Sequence, residues 1–460
     1  MAAVRELIAL DALGPKGSYR ARARRPLADV RGAPVGELSL VPPLFVDRGL
    51  AALHRATPLP RRELLDVLAR AARAFATGTV AGLSPQEYRD AVSRVSGLPA
   101  GVVATATAAV GARLERVEQS LDRARPRGAV DDWRDPATRG GAAVWTRRGR
   151  VLAVQAAGNH PGTHSLWPEA LALGYGVAVR PSRREPFTPH RLISALREAG
   201  LPEDRLVFLP TDHAGADRLL AGADLGLVYG GQDVVDRHRG DRSVLTQGPG
   251  RSKILITADA DWRRHLDVVV DSVSRHGGTG CVNATAVFVE GDPAPLCMAL
   301  AARLAALPSL PPEHPDAVLP VQPLPAARAL ADHLRARAGD AVAWLGADRV
   351  VGDLGDGSAV LRPAVHELPR ADDARAGIEL PFPCVWVAPW DRRSGTAALR
   401  DSLVLTLVTD DDDLVDAAAR EPSIRNLYLG DQPTYRMEPG LPHDGYLAEF
   451  LMRSAAVIRG

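Results

Sequence analysis

Residues 151–210 read VLAVQAAGNHPGTHSLWPEALALGYGVAVRPSRREPFTPHRLISALREAGLPEDRLVFLP, in which short apolar runs alternate with segments of helical periodicity. The alternation continues to residue 250 and resumes from about residue 251. This spacing is typical of right-handed βαβ units, in which helices cover both faces of a parallel sheet. The sequence therefore predicts an α/β protein with two doubly wound parallel-sheet domains.

The segments on either side of this stretch predict helices, a hairpin and a final strand. Residues 1–125 predict an irregular start and then helices that cover a sheet. Residues 140–155, GGAAVWTRRGRVLAVQ, follow a stretch rich in Gly, Pro and charge, and predict a hairpin that leaves the domain body. The C-terminal segment 442–460 predicts an edge strand at its end.

The composition is that of an ordinary globular protein. Of 460 residues, 46% are hydrophobic and 5% aromatic, and the net charge is +1. Because the chain has neither an excess of basic residues nor many aromatic residues to stack on bases, the composition argues against nucleic-acid binding. No segment approaches the roughly 20 apolar residues of a membrane span, and no secretory leader pattern is present, so neither a membrane nor export is expected.

The three cysteines, Cys281, Cys297 and Cys384, are an odd and sparse set without CxxC or Cys/His ligand spacing. This pattern argues against a disulfide framework and against structural zinc, and it predicts no metal site. It also favours a reducing cytoplasm as the compartment. Cys297 and Cys384 occupy apolar runs, which predicts that both lie in the core.

Cys281 stands at the end of a glycine-rich turn in SRHGGTGCVNATAVFVEGD, residues 274–292. It is either a small buried hydrophobe or a nucleophile. The three glycines just before it favour the nucleophile, because backbone without side chains would let a substrate carbonyl approach the sulfur. The chemistry also needs a thiolate. His276 is a candidate base for that purpose, or else a capping or surface histidine.

Two short segments directly follow predicted strands, where the open end of a parallel sheet binds ligands. Asn159, in AAGNHPG, is able to donate its amide to a developing oxyanion, or it marks a turn before proline. Gly230 and Gly231, in VYGGQDVV, leave backbone N–H groups open to a pyrophosphate. A single glycine pair has low specificity for that role.

Arginines follow the next predicted strand, in VAVRPSRREP. Arg180, Arg183 and Arg184 either hold phosphate or ribose groups of a ligand or form a solvated face. The planar guanidinium suits phosphate. Surface arginines are nevertheless more common than phosphate ligands, so this segment alone leaves both possibilities open.

Taken in order, these segments resemble the aldehyde dehydrogenase superfamily over about residues 140–430. The segment 156–202 is similar to the family stretch in which an oxyanion-hole Asn before Pro precedes a helix, a strand and a basic-Pro-Ser cofactor clamp. GPGRSKILI resembles the segment that leads into the catalytic domain, and GGTGCVNATAVFV resembles the nucleophile segment. GIELPFPCVWV resembles the segment whose Glu holds the nicotinamide ribose.

The resemblance implies a catalytic group and a cofactor-binding group of residues. Asn159 is the oxyanion donor and Cys281 the nucleophile, with Gln247 and His276 as further catalytic-site residues. Within the second group, Glu379 is the ribose ligand. The cofactor-binding group comprises Arg180, Ser182, Arg183, Gly230, Gly231, Glu379 and Phe382.

The resemblance also implies a division into domains. Residues 1–131 and 151–250 form the cofactor domain, and residues 251–432 form the catalytic domain. Residues 132–150 and 433–460 are implied to be oligomerisation elements, which predicts a homodimer or tetramer.

Gln247 is the first departure from the family pattern. Family members that hydrolyse their thioester intermediate carry a Glu at this position of VLTQGPGRSK. An amide is not a general base at neutral pH, so water should attack the acyl-cysteine slowly. This favours exchange of the acyl group with another thiol, and the chain looks nearest to the acyl-CoA and acyl thioester reductase branch, which includes the fatty-acid reductase of bacterial luminescence.

Arg183 is the second departure. Many NAD-using members place a Glu after the basic-Pro-Ser clamp, where it bonds the adenosine ribose hydroxyls. A cation at that place offers a partner for a 2′-phosphate. The sequence therefore predicts NADPH as the preferred cofactor, with NADH also possible.

These features predict NADPH-dependent reduction of an acyl thioester, on CoA or a carrier protein, to an aldehyde through an acyl group on Cys281. One alternative is NAD(P)+-dependent oxidation of an aldehyde to an acid or acyl-CoA, with His276 or Glu379 as the base. The other alternative is a catalytically silent family member that acts as a binding or scaffold subunit. The identity of the acyl group is beyond the sequence.

Overall fold

The computed structural model describes residues 7–438 and 440–460, and its framework is two large sheets covered by helices. The elements before residue 250 are, in chain order, β1 Ile8–Leu10, β2 Ala12–Gly14, β3 Gly17–Tyr19, β4 Arg24–Ala28, β5 Pro34–Ser39, α1 Pro43–Arg55, α2 Arg61–Thr77, α3 Pro85–Ser96, α4 Ala100–Glu115, α5 Val117–Ala124, β6 Ala142–Arg147, β7 Val151–Gln155, α6 Pro168–Ala172, β8 Gly176–Arg180, α7 Phe187–Glu198, β9 Leu206–Phe208, α8 His213–Ala221, β10 Leu225–Tyr229, α9 Gln232–Arg237 and β11 Val244–Gln247. The elements after residue 250 are β12 Ser252–Ile256, α10 Leu266–Ser274, β13 Ala284–Glu290, α11 Ala294–Ala305, β14 Val321–Pro323, α12 Leu324–Ala338, β15 Val342–Leu345, β16 Val351–Asp353, β17 Ser358–Leu361, β18 Ala364–Glu367, β19 Cys384–Trp390, β20 Ser402–Val408, α13 Asp412–Arg420, β21 Ile424–Leu429, α14 Leu447–Leu451 and β22 Met452–Val457.

The first large sheet has the strand order β11-β10-β7-β8-β9-β2-β3. Strands β7 to β11 run parallel, and their apolar runs are buried because helices cover both faces. The order extends from β7 to β8 and β9 on one side, and to β10 and β11 on the other. It therefore changes direction between β7 and β10, which opens a crevice at the carboxyl ends of these strands.

The second large sheet has the strand order β15-β18-β19-β13-β12-β20-β21, and its central strands are also parallel. The chain leaves the first sheet after Gln247 and enters the second at Ser252. Consequently the carboxyl edge of the first sheet lies opposite the amino edge of the second. The predicted α/β class with parallel-sheet domains is confirmed.

The N-terminal segment differs from the irregular start that the sequence predicts. Strands β1, β5 and β4 form a small separate sheet, while β2 and β3 extend the first large sheet in antiparallel fashion. Most of these strands have only three residues, too few to show a period-two pattern. The helices that follow agree better with the sequence, and α3 begins with a capping box in which Ser84 and Glu87 bond each other's backbone.

The predicted hairpin over 140–155 is wrong. Strand β7 is a buried strand of the first sheet, and β6 pairs antiparallel with the C-terminal strand β22 instead. Two strands do flank residues 148–150, but β6 pairs with β22, which lies some 300 residues later in the chain. The predicted final strand is present as β22.

Among the described residues, no single helix is long and apolar enough to cross a membrane, although the bent pair α3 and α4 reaches the limit by length and composition together.

Three histidines are buried away from the cavity described below, and they predict acid sensitivity. His164, His190 and His366 are at most 8% exposed, and burial lowers their pKa values to about 3, 4 and 4. Both ring nitrogens of His366 lack a hydrogen-bond partner among the described residues. The unfolded chain binds protons below its histidine pKa of about 6.5, whereas the folded chain does not until far lower pH.

We expect the free energy of unfolding to fall between pH 7.5 and pH 5.5, as measured by urea unfolding. The three histidines contribute a loss of about 4 kcal/mol over this range, since each costs about 1.4 kcal/mol per pH unit below its unfolded pKa. Buried Glu185, whose pKa burial raises to about 7, gains a proton in the folded state and offsets about 2 kcal/mol. The variant His366→Leu should show a shallower loss. An unfolding free energy that rises toward pH 5.5 contradicts this account.

Candidate active site

A cavity of about 1210 Å³ lies where the two large sheets face each other. It brings together eight of the eleven residues that the resemblance assigns to the catalytic and cofactor-binding groups, and also Arg184. The eight are Asn159, Ser182, Gly230, Gly231, Gln247, His276, Cys281 and Glu379.

Three other predicted cofactor residues lie outside this lining. Arg180 donates Nε to the carbonyl of Thr211 at 3.3 Å, and Arg183 is exposed. Phe382 is 1% exposed and packs in the core of the second domain. Their roles as cofactor ligands remain predictions.

The turn before Cys281 explains the glycines of its segment. Gly277 and Gly278 have φ angles of 70° and 64°, in the left-handed region that glycine adopts without strain. A side chain on Gly278 would lie 2.4 Å from the backbone nitrogen of Pro383. The expectation that the glycines make room for substrate is therefore wrong at Gly278, where the space is filled by backbone.

Residues 250–253 contact both the loop that carries Cys281 and the segment 400–402. A Cβ on Gly250 would lie 1.8 Å from the carbonyl oxygen of Cys281, so only glycine permits this contact. Ser252 donates Oγ to the same carbonyl at 3.0 Å. Buried Lys253 donates Nζ to the carbonyl of Arg400 at 2.6 Å and to Oγ of Ser402 at 2.9 Å. These contacts anchor Cys281 against the start of β12.

Cys281 contacts His443, whose Nε2 lies 3.5 Å from Sγ. Burial, and next the charge of Glu379, raise the pKa of Cys281 to about 12. Burial, and next the charge of Arg113, lower the pKa of His443 to about 4. The resting pair is thus a thiol and a neutral imidazole, in which Nε2 is placed to accept the thiol proton.

The sequence reasoning missed His443. It lies 162 residues from Cys281, and PHDGY carries no local signal for a base. His276, the candidate that the sequence offered, lines the same cavity, but its ring stacks edge-on against His160.

Replacing His443 by glutamine should slow alkylation of Cys281 by iodoacetamide about 100-fold near pH 7.5, because an amide does not accept the thiol proton. Rates are measured by intact-protein mass spectrometry. His276→Gln is the matched control and should keep the alkylation rate of the wild type. Unchanged alkylation in His443→Gln would mean that another group takes the proton.

Asn159 follows β7 at the crevice, and its side chain is already oriented. Its Nδ2 donates to the carbonyl of Thr279 at 3.0 Å, two residues before Cys281 in the chain. The described residues provide no acceptor for the second N–H of this amide. Asn159 therefore lies in a turn and is also a candidate donor to an oxyanion formed at the sulfur.

Two further residues of the cavity, Gln247 and Glu379, bear on whether a group near Cys281 is able to accept a proton. Gln247 is 8% exposed at the end of β11, and its amide is neutral. Glu379 accepts the backbone N–H of Arg251 at 3.0 Å, and burial raises its pKa despite that bond. Its charge is the second largest cause of the raised pKa of Cys281, so the carboxylate lies within electrostatic reach of the thiol.

A sequence profile of the aldehyde dehydrogenase family matches residues 151–446, the part of the chain that contains all of these groups. The chain belongs to the aldehyde dehydrogenase family. An aldehyde-dehydrogenase-like protein of Sinorhizobium fredii is 25% identical to this family member over 134 residues, 28% of this chain. That match spans about a quarter, 26%, of the length of the curated relative.

Solved structures of aldehyde dehydrogenases share the fold over nearly the whole chain. The NAD-dependent aldehyde dehydrogenase of Sinorhizobium meliloti has a TM-score of 0.82 at 16% identity, covering 99% of this chain and 96% of that one. The gamma-glutamyl-gamma-aminobutyraldehyde dehydrogenase of Burkholderia cenocepacia has a TM-score of 0.81 at 18% identity, covering 97% and 95%. An NADP-dependent enzyme of E. coli has a TM-score of 0.81 at 15% identity, covering 97% of both chains.

The cavity of this aldehyde dehydrogenase family member fits a nicotinamide dinucleotide. Its volume exceeds the roughly 300–1,000 Å³ of ordinary ligand pockets, which leaves space for a second ligand beside the thiol. Ser182, Arg184, Gly230 and Gly231 also line this cavity. The guanidinium of Arg184 and the hydroxyl of Ser182 are donors of the kind that a pyrophosphate and ribose require. The expectation that the N–H of Gly230 is open to a pyrophosphate is wrong, because this N–H donates to the carbonyl of Gln247 at 3.1 Å.

Proposed function

We propose that this chain is an NADPH-dependent oxidoreductase that reduces an acyl thioester to an aldehyde through an acyl group on Cys281. Family membership supports the coarser part, an NAD(P)-dependent oxidoreductase that acts on aldehydes. The finer part rests on one observation. Gln247 lines the cavity of Cys281, and by the resemblance it stands where hydrolytic members carry a Glu, so the proposal takes the base that would activate water to be missing there.

Acyl transfer to the enzyme uses the Cys281–His443 pair. As Sγ attacks the thioester carbonyl, His443 accepts the thiol proton and a bond forms between Sγ and the carbonyl carbon. The bond to the carrier sulfur then breaks, and His443 returns the proton to that thiolate. Asn159 donates its free N–H to the oxyanion between the two events.

Reduction of the acyl-cysteine requires a hydride, which a bound nicotinamide dinucleotide supplies. Asn159 holds the resulting oxyanion of the thiohemiacetal on Cys281. When the carbonyl reforms, the bond between carbon and Sγ breaks and the aldehyde leaves. His443 has already given its proton to the carrier thiolate, so the Cys281 thiolate takes a second proton from water, relayed by Nε2 of His443, and the pair returns to its resting state.

Oxidation of an aldehyde to an acid, or to acyl-CoA, is the second candidate. Glu379 favours it, because a carboxyl group with a raised pKa near the thiol is suited to accept a proton from water. Steady aldehyde oxidation in the absence of any added thiol would support this candidate. A silent binding or scaffold member would instead show an inert Cys281.

The deciding experiment is intact-protein mass spectrometry with a panel of acyl-CoA and acyl-carrier thioesters, followed by a chase with NADPH or with water. The proposal requires an adduct on Cys281 that persists in water and disappears with NADPH, yielding aldehyde. An adduct lost equally fast in water favours the hydrolytic candidate. The absence of an adduct from every donor favours the silent member.

We propose the preference for NADPH from the two arginines at and just after the end of β8, Arg180 and Arg183. Burial, and next the charge of Arg183, lower the pKa of Arg180, so the two guanidinium groups lie within electrostatic reach of each other. The charges of Asp212 and Asp217 also act on Arg180, so the proposal rests on the two guanidinium groups themselves, whose geometry suits a 2′-phosphate. Arg183→Glu should reduce the preference for NADPH over NADH at least about tenfold, as measured by isothermal titration. Arg393→Glu, at an exposed arginine on another surface, is the control; an equal preference in the wild type contradicts the proposal.

We also propose that the sheet formed by β6 and β22 takes part in a homodimer or tetramer. Val457 and Ala142 pair at one end of this sheet, and Ile458 beyond it is 82% exposed. An apolar side chain exposed beside an open strand edge favours a protein contact. Sedimentation of the wild type and of Ile458→Asp distinguishes an oligomer from a monomer.

A further inference from the structure

Helix α4 and the residue that caps its end form one wall of the cavity that contains Cys281. The residues of this wall lie on one helix face, and they are Thr105, Ala109, Ala112, Arg113 and Arg116. The first three are small and exposed, so this part of the wall leaves the cavity open. The two arginines stand at the end of the same face. We name these residues the α4 wall.

Arg113 places the α4 wall beside the reacting thiol. Burial, and next the charge of Arg113, lower the pKa of His443, whose Nε2 lies 3.5 Å from Sγ of Cys281. Burial raises the pKa of Tyr229, the charge of Cys281 raises it further, and the charge of Arg113 lowers it. Arg113 therefore lies within electrostatic reach of two groups next to the thiol. Arg116 lies about one helical turn further along the same face.

Arg113 has an acidic partner, whereas Arg116 has none among the described residues. Nη2 of Arg113 donates to Oε1 of Glu169 at 3.0 Å, and Glu169 is 2% exposed. Arg116 is exposed to the cavity, and its side chain makes neither an ion pair nor a hydrogen bond with any described residue. The guanidinium of Arg116 therefore keeps its full charge and all of its donors open to a ligand.

The acidic groups of the cavity do not neutralise Arg116. Each of the four carboxylates in the described lining lies beside another cation. The four pairs are Glu379 with Arg251, Asp401 with Lys253, Glu438 with Arg436 and Asp444 with Arg425. The described lining therefore holds an uncompensated positive charge on the α4 wall.

Arg184 is the other arginine of the described lining without an acidic partner. With Ser182, it belongs to the segment that the resemblance assigns to the cofactor, and it donates to the carbonyl of Ser96 at 3.5 Å. Arg116 lies instead on the wall next to His443 and Cys281. An open guanidinium is a strong and directional partner for an oxyanion. Two such groups in one cavity fit an anionic cofactor and an anionic substrate.

We propose that Arg116 binds a carboxylate at the far end of the acyl chain, so that the preferred substrate is the monothioester of a dicarboxylic acid. The inference rests on the proposed function in that it takes the acyl group to be bound to Cys281. A carboxylate accepts two parallel hydrogen bonds from a guanidinium, which an alkyl chain end does not. The aldehyde that leaves then carries a carboxylate at its other end.

The carrier of the thioester also holds oxyanions, which are its phosphate groups. The pantetheine arm separates these phosphates from the thioester by a long chain. Arg116, by contrast, lies only about one helical turn beyond Arg113, which is within electrostatic reach of His443. This short separation favours the acyl chain as the source of the anion, and the experiment distinguishes the two sources.

The experiment compares succinyl-CoA with butyryl-CoA, and glutaryl-CoA with valeryl-CoA. Within each pair the chain length and the carrier are the same, and only the terminal carboxylate differs. The wild type should have the higher kcat/KM for the carboxylated member of at least one pair. Arg116→Gln should lower the ratio of the two values at least about tenfold, since a charge-assisted hydrogen bond contributes on this order. Arg116→Lys, which keeps the charge without the planar fork, should retain part of the ratio.

Arg239→Gln is the matched control. Arg239 also lines the cavity and is exposed, but it pairs with Asp236, so this variant should keep the ratio of the wild type. A ratio at or below one in the wild type for both pairs, or a ratio that Arg116→Gln leaves unchanged, overturns the proposal. Equal losses for both members of a pair assign the guanidinium to the carrier and overturn it as well.

Failure of this subsite is distinguishable from failure of the proposed function. If no thioester reacts, the same ratio is measured for oxidation of succinic semialdehyde and butanal with NADP+. Binding of glutaryl-CoA and valeryl-CoA to Cys281→Ala, measured by isothermal titration, gives the discrimination without any turnover. A preference for the carboxylated compound that Arg116→Gln removes supports the subsite in either assay. Equal binding of the two compounds overturns the subsite and leaves the reductase proposal to its own test.

Discussion

Replacing Cys281 by alanine is expected to abolish the acyl adduct and to reduce turnover at least about 1,000-fold, because the described lining of the cavity holds no other cysteine. Sγ lies 3.5 Å from Nε2 of His443, and the position of Cys281 is set by contacts with Gly250 and Ser252. Adduct formation is measured by intact mass, and turnover by NADPH consumption.

Cys297→Ala is the matched control for this variant. Cys297 is fully buried in α11 and packs in the core of the second domain, away from the cavity lining. The substitution therefore affects stability and not the chemistry, so adduct formation per folded molecule should match that of the wild type. Full reductase activity in Cys281→Ala would contradict the covalent mechanism.

Replacing Gln247 by glutamate should accelerate hydrolysis of the acyl-cysteine by about 100-fold or more, since general base catalysis contributes on this order. Gln247 lines the cavity and is only 8% exposed, and such burial would raise the pKa of a carboxyl group there toward neutrality. The half-life of the Cys281 adduct in water, followed by mass spectrometry, measures the effect. Aldehyde yield from a limiting thioester should fall in parallel.

Gln232→Glu provides the comparison, because Gln232 also lines the cavity but lies on α9, where its side chain accepts from Arg251. It should leave the half-life of the adduct unaltered. If Gln247→Glu has no effect on an adduct that is already short-lived, water is activated by another group. Glu379→Gln would then lengthen the half-life, and the oxidative candidate would replace the reductase proposal.

The local periodicity of apolar residues predicted many of the strands and helices of the fold. The alternation over 151–250 predicted the parallel strands β7 to β11, because buried parallel strands are continuous apolar runs separated by amphipathic helices. It failed at the N-terminus, where three-residue strands show no period. It failed again at β6, whose pairing with β22 depends on chain segments that are far apart in sequence.

The sequence by itself determined the family resemblance, the nucleophile segment of Cys281 and the replacement at Gln247, because these are short ordered patterns. Only the tertiary structure placed His443 against the thiol and assigned Gly278 to backbone packing. It also placed Arg116 in the cavity wall without an acidic partner among the described residues. Contacts between segments 100 or more residues apart depend on how two sheets face each other. No local pattern of apolar and polar residues records that arrangement.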